Sequence, residues 1–272
     1  MAISALLNGS PAPGLPFADR GLAYGDGLFE TIRVAAGVAR FLREHLERLG
    51  RDCRRLDISL DQPALGADIE RLLRDWRGRD GILKIIVTRG VAARGYHPGR
   101  GAAGSRLLQF FPQTFTASAE VRARLCRQRL AEQPALAGMK HLNRLEQVLA
   151  RAEWSDPAIV EGLMLDQRDR LIEGTASNLF LVRCGAIVTP RLHRCGVAGV
   201  MRRVVMESLA PGAVIERDVC LDDLYGADEA FLTSSVIGIR ALTQVDCLHL
   251  RRGDVTIALQ QRLQSLIENE VH

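Results

Sequence analysis

The sequence predicts an α+β fold in two domains, and three features carry that expectation. The chain has 272 residues, and at ~150 residues per domain that makes two domains or one large one. Strand and helix signals are mixed along it without a strict βαβ rhythm, which points away from a single parallel sheet. The stretch Pro112–Ser118 between two such mixed blocks reads as a linker. The expected division is a smaller N-terminal α/β domain over residues 1–112, a linker over residues 113–119 and a larger C-terminal domain over residues 120–272.

Hydrophobic periodicity places the elements in order. A strand is expected at Ala2–Leu7, and another at Leu28–Val34 after the turn Tyr24-Gly25-Asp26-Gly27. Leu42, Leu46, Leu49, Cys53 and Leu56 form one stripe of a helix over residues 42–56, and a second helix covers Pro63–Arg74. Strands follow at Gly81–Arg89 and Arg106–Phe111, separated by the glycine-rich stretch Gly90–Gly104, which is long enough to be a lid or binding loop. After the linker come a strand at Val121–Arg127, an irregular stretch to Met139, and a helix over Arg144–Trp154. Asn143 as N-cap with Glu146 three residues into that helix makes a capping box, and Leu145, Val148, Leu149 and Ala152 form its expected buried stripe. Strands at Gly162–Leu165, Asn178–Val182 and Ala186–Thr189 precede a helix opening after Gly199 and running to Leu209. Three more strands, Ala213–Glu216, Glu229–Thr233 and Ile237–Leu242, lead to a terminal helix at Val255–Glu270. No internal repeat or low-complexity segment interrupts the pattern.

Composition removes several function classes. At 47% hydrophobic residues the chain can build a core and is not a disordered tail protein. No apolar run approaches the ~18 residues of a membrane span, and the first residues lack the basic start of a signal peptide. The cysteines at 53, 126, 184, 195, 220 and 247 are scattered without a C-x-x-C pair. That argues against a zinc site or disulfide framework and for reduced thiols in a cytosol. No His/Asp/Glu spacing suggests a metal, and the G-D-G near residue 25 is too short for a nucleotide loop. The net charge of +4 comes from basic and acidic residues that interleave, as in Arg168-Asp169-Arg170, rather than from a one-signed patch. A solvated surface is the expectation, not a nucleic-acid face.

Two lysines stand among 36 basic residues. Arginine cannot deprotonate to act as an amine nucleophile, so each lysine invites a chemical question. Lys84, in Ile82-Leu83-Lys84-Ile85-Ile86, is expected to snorkel or face solvent at a sheet edge. Lys140 lies in Gly138-Met139-Lys140-His141-Leu142-Asn143, just before a helix, where a desolvated amine can condense with an aldehyde. A carboxylate, Glu173, opens the run Glu173-Gly174-Thr175-Ala176-Ser177-Asn178-Leu179-Phe180. Val197-Ala198-Gly199-Val200-Met201-Arg202 supplies backbone N–H groups at a helix start, where a phosphate binds well, and Thr233-Ser234-Ser235 adds hydroxyls. Amine, carboxylate and two phosphate cradles are what pyridoxal phosphate needs.

The run E-x-T-x-x-N-L-F-x₆-I-x-T-x₇-V-x-G-V-x-R, from Glu173 to Arg202, resembles the signature of the class IV pyridoxal-phosphate aminotransferases. That family holds branched-chain aminotransferases, D-amino-acid aminotransferase and 4-amino-4-deoxychorismate lyases. The lysine context from Gly138 to Val148, the stretch Tyr24–Thr31 and Arg94-Gly95-Tyr96 are similar to the lyase branch, and matches run from Asn8 to Arg240. The resemblance implies a two-domain fold-type IV architecture like that of D-amino-acid aminotransferase, with pyridoxal phosphate in the larger C-terminal domain. It implies that Lys140 holds the cofactor and carries protons, that Glu173 pairs with the pyridine nitrogen, and that Asn178 lies beside the cofactor strand. Arg48, the backbone of Val200 and Met201, and Thr233 or Ser234 would hold the phosphate. Thr31 would lie near the lysine and substrate, with a share in proton delivery. Arg94 and Tyr96 would trap a substrate carboxylate on a loop that in relatives can come from the partner subunit. The chain departs from the true aminotransferases after Thr233, where Ser234-Ser235-Val236-Ile237-Gly238 lacks their Glu/Pro pattern.

By resemblance the function is a cytoplasmic, homodimeric lyase of folate biosynthesis that turns 4-amino-4-deoxychorismate into 4-aminobenzoate and pyruvate. A D-amino-acid or branched-chain aminotransferase would share every cofactor residue. An arginine-rich nucleic-acid-binding protein on the same fold would instead show steep salt-dependent binding and no cofactor.

Overall fold

A computed structural model describes residues 4–12, 14–99, 103–115 and 118–269. The start of the expected first strand at Ala2, part of the glycine-rich loop (100–102), two linker positions (116 and 117) and the end of the terminal helix at Glu270 lie outside the described residues. The chain divides into two units, Met1–Thr116 with Lys140–Asn143, and Ala117–Met139 with Arg144–His272.

The first unit runs β1 (Ala5–Leu7), β2 (Ser10–Pro11), α1 (Arg20–Tyr24), β3 (Gly27–Ala35), β4 (Val38–Ala39), α2 (Leu42–Arg55), α3 (Gln62–Arg74), β5 (Gly81–Thr88) and β6 (Ser105–Pro112). Its sheet has the order β2-β1-β6-β5-β3-β4, with antiparallel pairs throughout. Strand alternation sends Leu28, Ile32 and Val34 of β3 and Leu83, Ile85 and Val87 of β5 into the core. The opposite face carries Phe29, Thr31 and Arg33, all half-buried, and Thr31 stands directly across from Lys84. Lys84 is therefore not at an edge: β5 lies between β6 and β3 in the middle of the sheet.

The second unit runs β7 (Glu120–Leu130), α4 (Leu145–Arg151), β8 (Glu161–Asp166), β9 (Leu171–Gly174), β10 (Asn178–Arg183), β11 (Ala186–Pro190), α5 (Val200–Glu207), β12 (Val214–Arg217), α6 (Leu221–Tyr225), β13 (Glu229–Ser234), β14 (Gly238–Val245), β15 (Leu248–His249) and α7 (Asp254–Asn269). Its nine-stranded sheet has the order β12-β11-β10-β13-β14-β7-β8-β9, with β15 paired to β14 off this path, and a further β10–β9 pairing closes part of it into a ring. One core holds Leu163, Leu171, Leu179, Leu181, Leu232 and Leu242. The alternate residues Phe180 and Phe231 stack on the other face at 4.8 Å.

The α+β expectation holds, but the helix after the lysine is built differently from its reading. It spans Leu145–Arg151, its N-cap is Arg144, and no side chain caps it. Asn143 instead donates to the Gly25 carbonyl (3.2 Å), and Glu146 accepts from the Ala131 N–H (2.8 Å). Tertiary partners outcompete the local capping box. The expected buried stripe is also overturned: Leu145, Val148 and Leu149 are 75%, 59% and 56% exposed, and Ala150 is the buried residue of the helix. In α2 the inward face is only partly apolar, since His45, Arg48 and Asp52 are buried beside Leu49 and Cys53.

Candidate active site

In the first unit, residues 140–142 lie along β3 as an added strand fragment. The Phe29 N–H donates to the Lys140 carbonyl (2.9 Å), and the Leu142 N–H to the Gly27 carbonyl (3.0 Å). Asn143 packs so closely on the Tyr24–Gly27 turn that a Cβ at Gly25, where φ is +63°, would fall 2.5 Å from its Oδ1. This pairing delivers Lys140 Nζ to 4.3 Å above the Phe29 ring. Lys84 Nζ lies 5.8 Å from the same ring, so both lysines attend the face that carries Thr31.

The reverse face of β3 carries Glu30, which the sequence reading passed over. Its Oε1 accepts from Arg48 Nε (2.8 Å), and its Oε2 accepts from Arg48 Nη2 (2.5 Å) and meets His45 Nδ1 (2.5 Å). All three side chains are buried. Burial works to raise the Glu30 carboxyl, but the Arg48 guanidinium and His45 hold it down to about 2. Burial lowers His45 against the opposing pull of Glu30, and Lys140 is among the charges that His45 feels. His45 Nε2 is buried with no hydrogen-bond partner among the described residues. Arg48 is thus no solvated helix-surface charge; it is bidentately anchored. A carboxylate on the strand face of Leu28 and Ile32 was the available sequence signal for this cluster.

Arg94 and Tyr96 sit on the loop between β5 and β6. Arg94 is exposed and has no hydrogen-bond or ion-pair partner among the described residues. The Tyr96 ring, 86% exposed, lies 5.5 Å from that of Tyr24.

In the second unit, register aligns three buried polar residues in one row. Asn178 on β10 stands opposite Glu173 on β9 and Thr233 on β13. Glu173 Oε2 accepts the Val197 N–H at 2.7 Å. Asn178 donates to the Val197 carbonyl (2.8 Å) and accepts the Gly199 N–H (3.1 Å), tying the row to the start of α5. Gly199 is required there, since a Cβ would fall 2.1 Å from Asn178 Oδ1. Gly199 caps α5 without a side chain, so the N–H groups of Val200 and Met201 lack intrahelical acceptors. Thr233 Oγ1 is buried without a partner among the described residues, whereas Ser234 Oγ accepts the Ile237 N–H at 3.3 Å.

A second residue missed in the sequence, Glu161, holds the turn between Glu173 and Asn178. Its carboxylate accepts from the N–H groups of Gly162 and Thr175 (2.9 Å each) and from Ser177 Oγ (2.8 Å) and Thr175 Oγ1. No group of three His, Cys, Asp or Glu among the described residues is placed to hold a metal. No described helix is long and apolar enough to cross a membrane.

Chemically, this chain offers a lysine amine over an aromatic ring, a buried carboxylate fixed by a backbone amide, and an anion-ready helix start with an unpartnered hydroxyl. Comparison with known proteins agrees with that set. The chain is 35% identical to an aminodeoxychorismate lyase of Vibrio harveyi, covering 95% of this chain and 99% of that one. It is 30% identical to a putative branched-chain-amino-acid aminotransferase of Methanocaldococcus jannaschii, covering 91% and 89%. The crystal structure of 4-amino-4-deoxychorismate lyase from Pseudomonas aeruginosa superposes with a TM-score of 0.91 at 48% identity, covering 96% of this chain and 98% of that one. The amino-transferase class IV model matches residues 27–245, and the chain belongs to that enzyme family with its fold-type IV architecture.

Proposed function

We propose that the protein is a pyridoxal-phosphate-dependent 4-amino-4-deoxychorismate lyase that releases 4-aminobenzoate and pyruvate. The observation that carries the cofactor is the row Glu173–Asn178–Thr233 at the start of α5, with a buried hydroxyl that has no partner among the described residues. An unmet hydroxyl beside free helix amides fits a phosphate, and a buried carboxylate oriented by a backbone N–H fits a pyridine nitrogen. The likeness to the V. harveyi and P. aeruginosa lyases supports elimination over amino transfer.

When bound, pyridoxal phosphate supplies an electron sink for the carbon that bears the substrate's amine. Lys140 Nζ, 4.3 Å above the Phe29 ring, would hold the cofactor and would take the proton from the substrate's amine-bearing carbon. A proton returns to the departing enolpyruvyl oxygen from Lys140 Nζ or Thr31 Oγ1. Arg48, steadied by Glu30 in the first unit, would be a phosphate ligand, as would the amides of Val200 and Met201, Thr233 Oγ1 and Ser234 in the second. Arg94 and Tyr96 bind a substrate carboxylate. The enzyme acts as a cytoplasmic homodimer, independent of nucleic acid and membrane, in folate biosynthesis.

An amino-acid aminotransferase is the second reading, favoured by the 30% identity to the M. jannaschii protein. A product assay separates the two. Aminodeoxychorismate should yield pyruvate and 4-aminobenzoate, whereas rapid transfer from D-alanine or a branched-chain amino acid to 2-oxoglutarate with no aromatic product would overturn the lyase reading.

A further inference from the structure

Arg20, on the short helix α1, has a side chain only 5% exposed, and it is committed to a loop rather than to the core. Its Nη1 donates to the carbonyls of Gly95 (2.8 Å) and His97 (3.4 Å), and its Nη2 to that of Tyr96 (3.1 Å). Nε donates to Asp26 (2.8 Å), and the guanidinium carbon lies 4.8 Å from the centre of the Tyr24 ring. The Tyr24 hydroxyl in turn accepts the Gly95 N–H (3.1 Å). Three successive carbonyls are thus gripped by one planar fork, an arrangement a lysine ammonium cannot reproduce.

The fold has little need of this grip. Asp26 also accepts from Arg89 Nε at 2.8 Å, and Arg89 is anchored on the carbonyls of Leu56 and Asp57, so Asp26 stays paired without Arg20. Around the loop there is room to move: a Cβ at Gly95 or Gly99 would meet nothing within 4 Å. Arg20 and Tyr24 hydrogen-bond the backbone of residues 95–97, and Arg94 and Tyr96 flank and occupy that stretch.

We propose that Arg20 is a positioning residue for substrate recognition, fixing the 94–97 loop so that Arg94 and Tyr96 are pre-aimed. The inference rests on the assignment of Arg94 and Tyr96 to a substrate carboxylate. Pre-organisation lowers the ordering cost of binding, which the ground and transition states share, so its loss falls on KM and not on kcat.

The test compares Arg20→Gln, Tyr24→Phe, Arg94→Ala and the Arg20→Gln/Arg94→Ala pair as holoenzymes, with the amino substrate identified by the product assay. Arg20→Gln should raise KM roughly tenfold with kcat within about twofold, the signature of lost uniform binding. It should also speed tryptic cleavage after Arg94. The double variant should raise KM by less than the product of the two single effects, since part of what Arg20 does passes through Arg94. Tyr24→Phe removes a single acceptor and should raise KM about two- to threefold, which carries the test if Arg20→Gln does not fold. Should Arg94→Ala raise KM while Arg20→Gln and Tyr24→Phe leave it unchanged, the inference fails alone. Should Arg94→Ala itself leave KM unchanged, the loop does not bind substrate and the inference falls with that reading.

Discussion

Arg48 and Glu173 are both almost fully buried, yet the two units satisfy them by different means. Arg48 meets an opposite charge, Glu30, with His45 as a third member. Glu173 meets a backbone amide, that of Val197, and stands in strand register with Asn178. A charge-paired cluster answers to pH and to the loss of either member. A register-held carboxylate answers chiefly to changes of backbone. The first unit should therefore show its substitutions in stability, and the second in cofactor chemistry.

The largest effect should come from a residue that belongs to the first unit but is held as those of the second are. Lys140 is fixed through its backbone pairing with β3, and its side chain lies over Phe29. Lys140→Ala should cut turnover by ~10²–10⁴-fold or more, the scale of a lost general acid–base group. Its urea midpoint should stay near that of the parent. Borohydride reduction followed by peptide mapping should place the cofactor on Lys140, and a label on Lys84 would reverse the roles of the two lysines that share the Phe29 ring.

Glu30→Gln tests the charge-paired half of the comparison. It leaves Arg48 without its buried counter-charge, and breaking such a pair typically costs about 3–5 kcal/mol. Glu173→Gln keeps an oxygen for the Val197 N–H, so its stability cost should be no more than about 1.5 kcal/mol, while activity falls sharply. Urea unfolding of the two variants side by side measures the contrast, and equal losses would erase it.

Acid should act on the same cluster. Glu30 lies at about 2 in the folded protein against 4.5 for the free group, so its ionised form stabilises the fold above pH 4.5. That contribution, about 3 kcal/mol from the size of the shift, is lost as pH falls from about 4.5 to 2. His45, lowered by burial from 6.5, adds to the same trend, because below pH 6.5 the unfolded chain takes up its proton first. Urea midpoints between pH 7 and pH 3 should fall steadily in the parent. The limb below pH 4.5 should flatten in Glu30→Gln, and an unchanged limb would assign the acid sensitivity elsewhere.

Legibility followed the same division. Strands β3, β5, β10 and β13 could be read because each is a short, mainly apolar run, and the 173–202 signature carried Glu173 and Asn178 with it. Glu30 could not be read as Arg48's partner, since nothing local links residue 30 to a helix residue 18 positions on. The helix after Lys140 misled for a related reason. Asn143 and Glu146 have the spacing of a capping box, but each is claimed by a distant backbone group, Gly25 and Ala131. The leucines of that helix have the period of a buried stripe yet are exposed, because periodicity reports an apolar face and not what covers it. Arg20 and Glu161 were invisible as determinants, since their partners are mainly backbone groups and hydroxyls that leave no pattern in residue type.

Thr233 offers the finest test, because there stability and cofactor binding should move in different directions. Its hydroxyl is buried and unpaired among the described residues, and burying an unsatisfied hydroxyl costs about 1–3 kcal/mol. Valine has nearly the same shape and no hydroxyl, so Thr233→Val should leave the cofactor-free protein as stable as the parent, or up to ~1 kcal/mol more stable. With cofactor bound, the same change removes one donor to the phosphate, and retention on dialysis should weaken by roughly tenfold, the equivalent of about 1.4 kcal/mol. Ser234→Ala provides the control: its hydroxyl already accepts the Ile237 N–H, so that variant should lose a little stability and less cofactor. If Thr233→Val retains cofactor as the parent does while Ser234→Ala does not, the phosphate hydroxyl is Ser234, and the unpaired Thr233 Oγ1 serves some other contact.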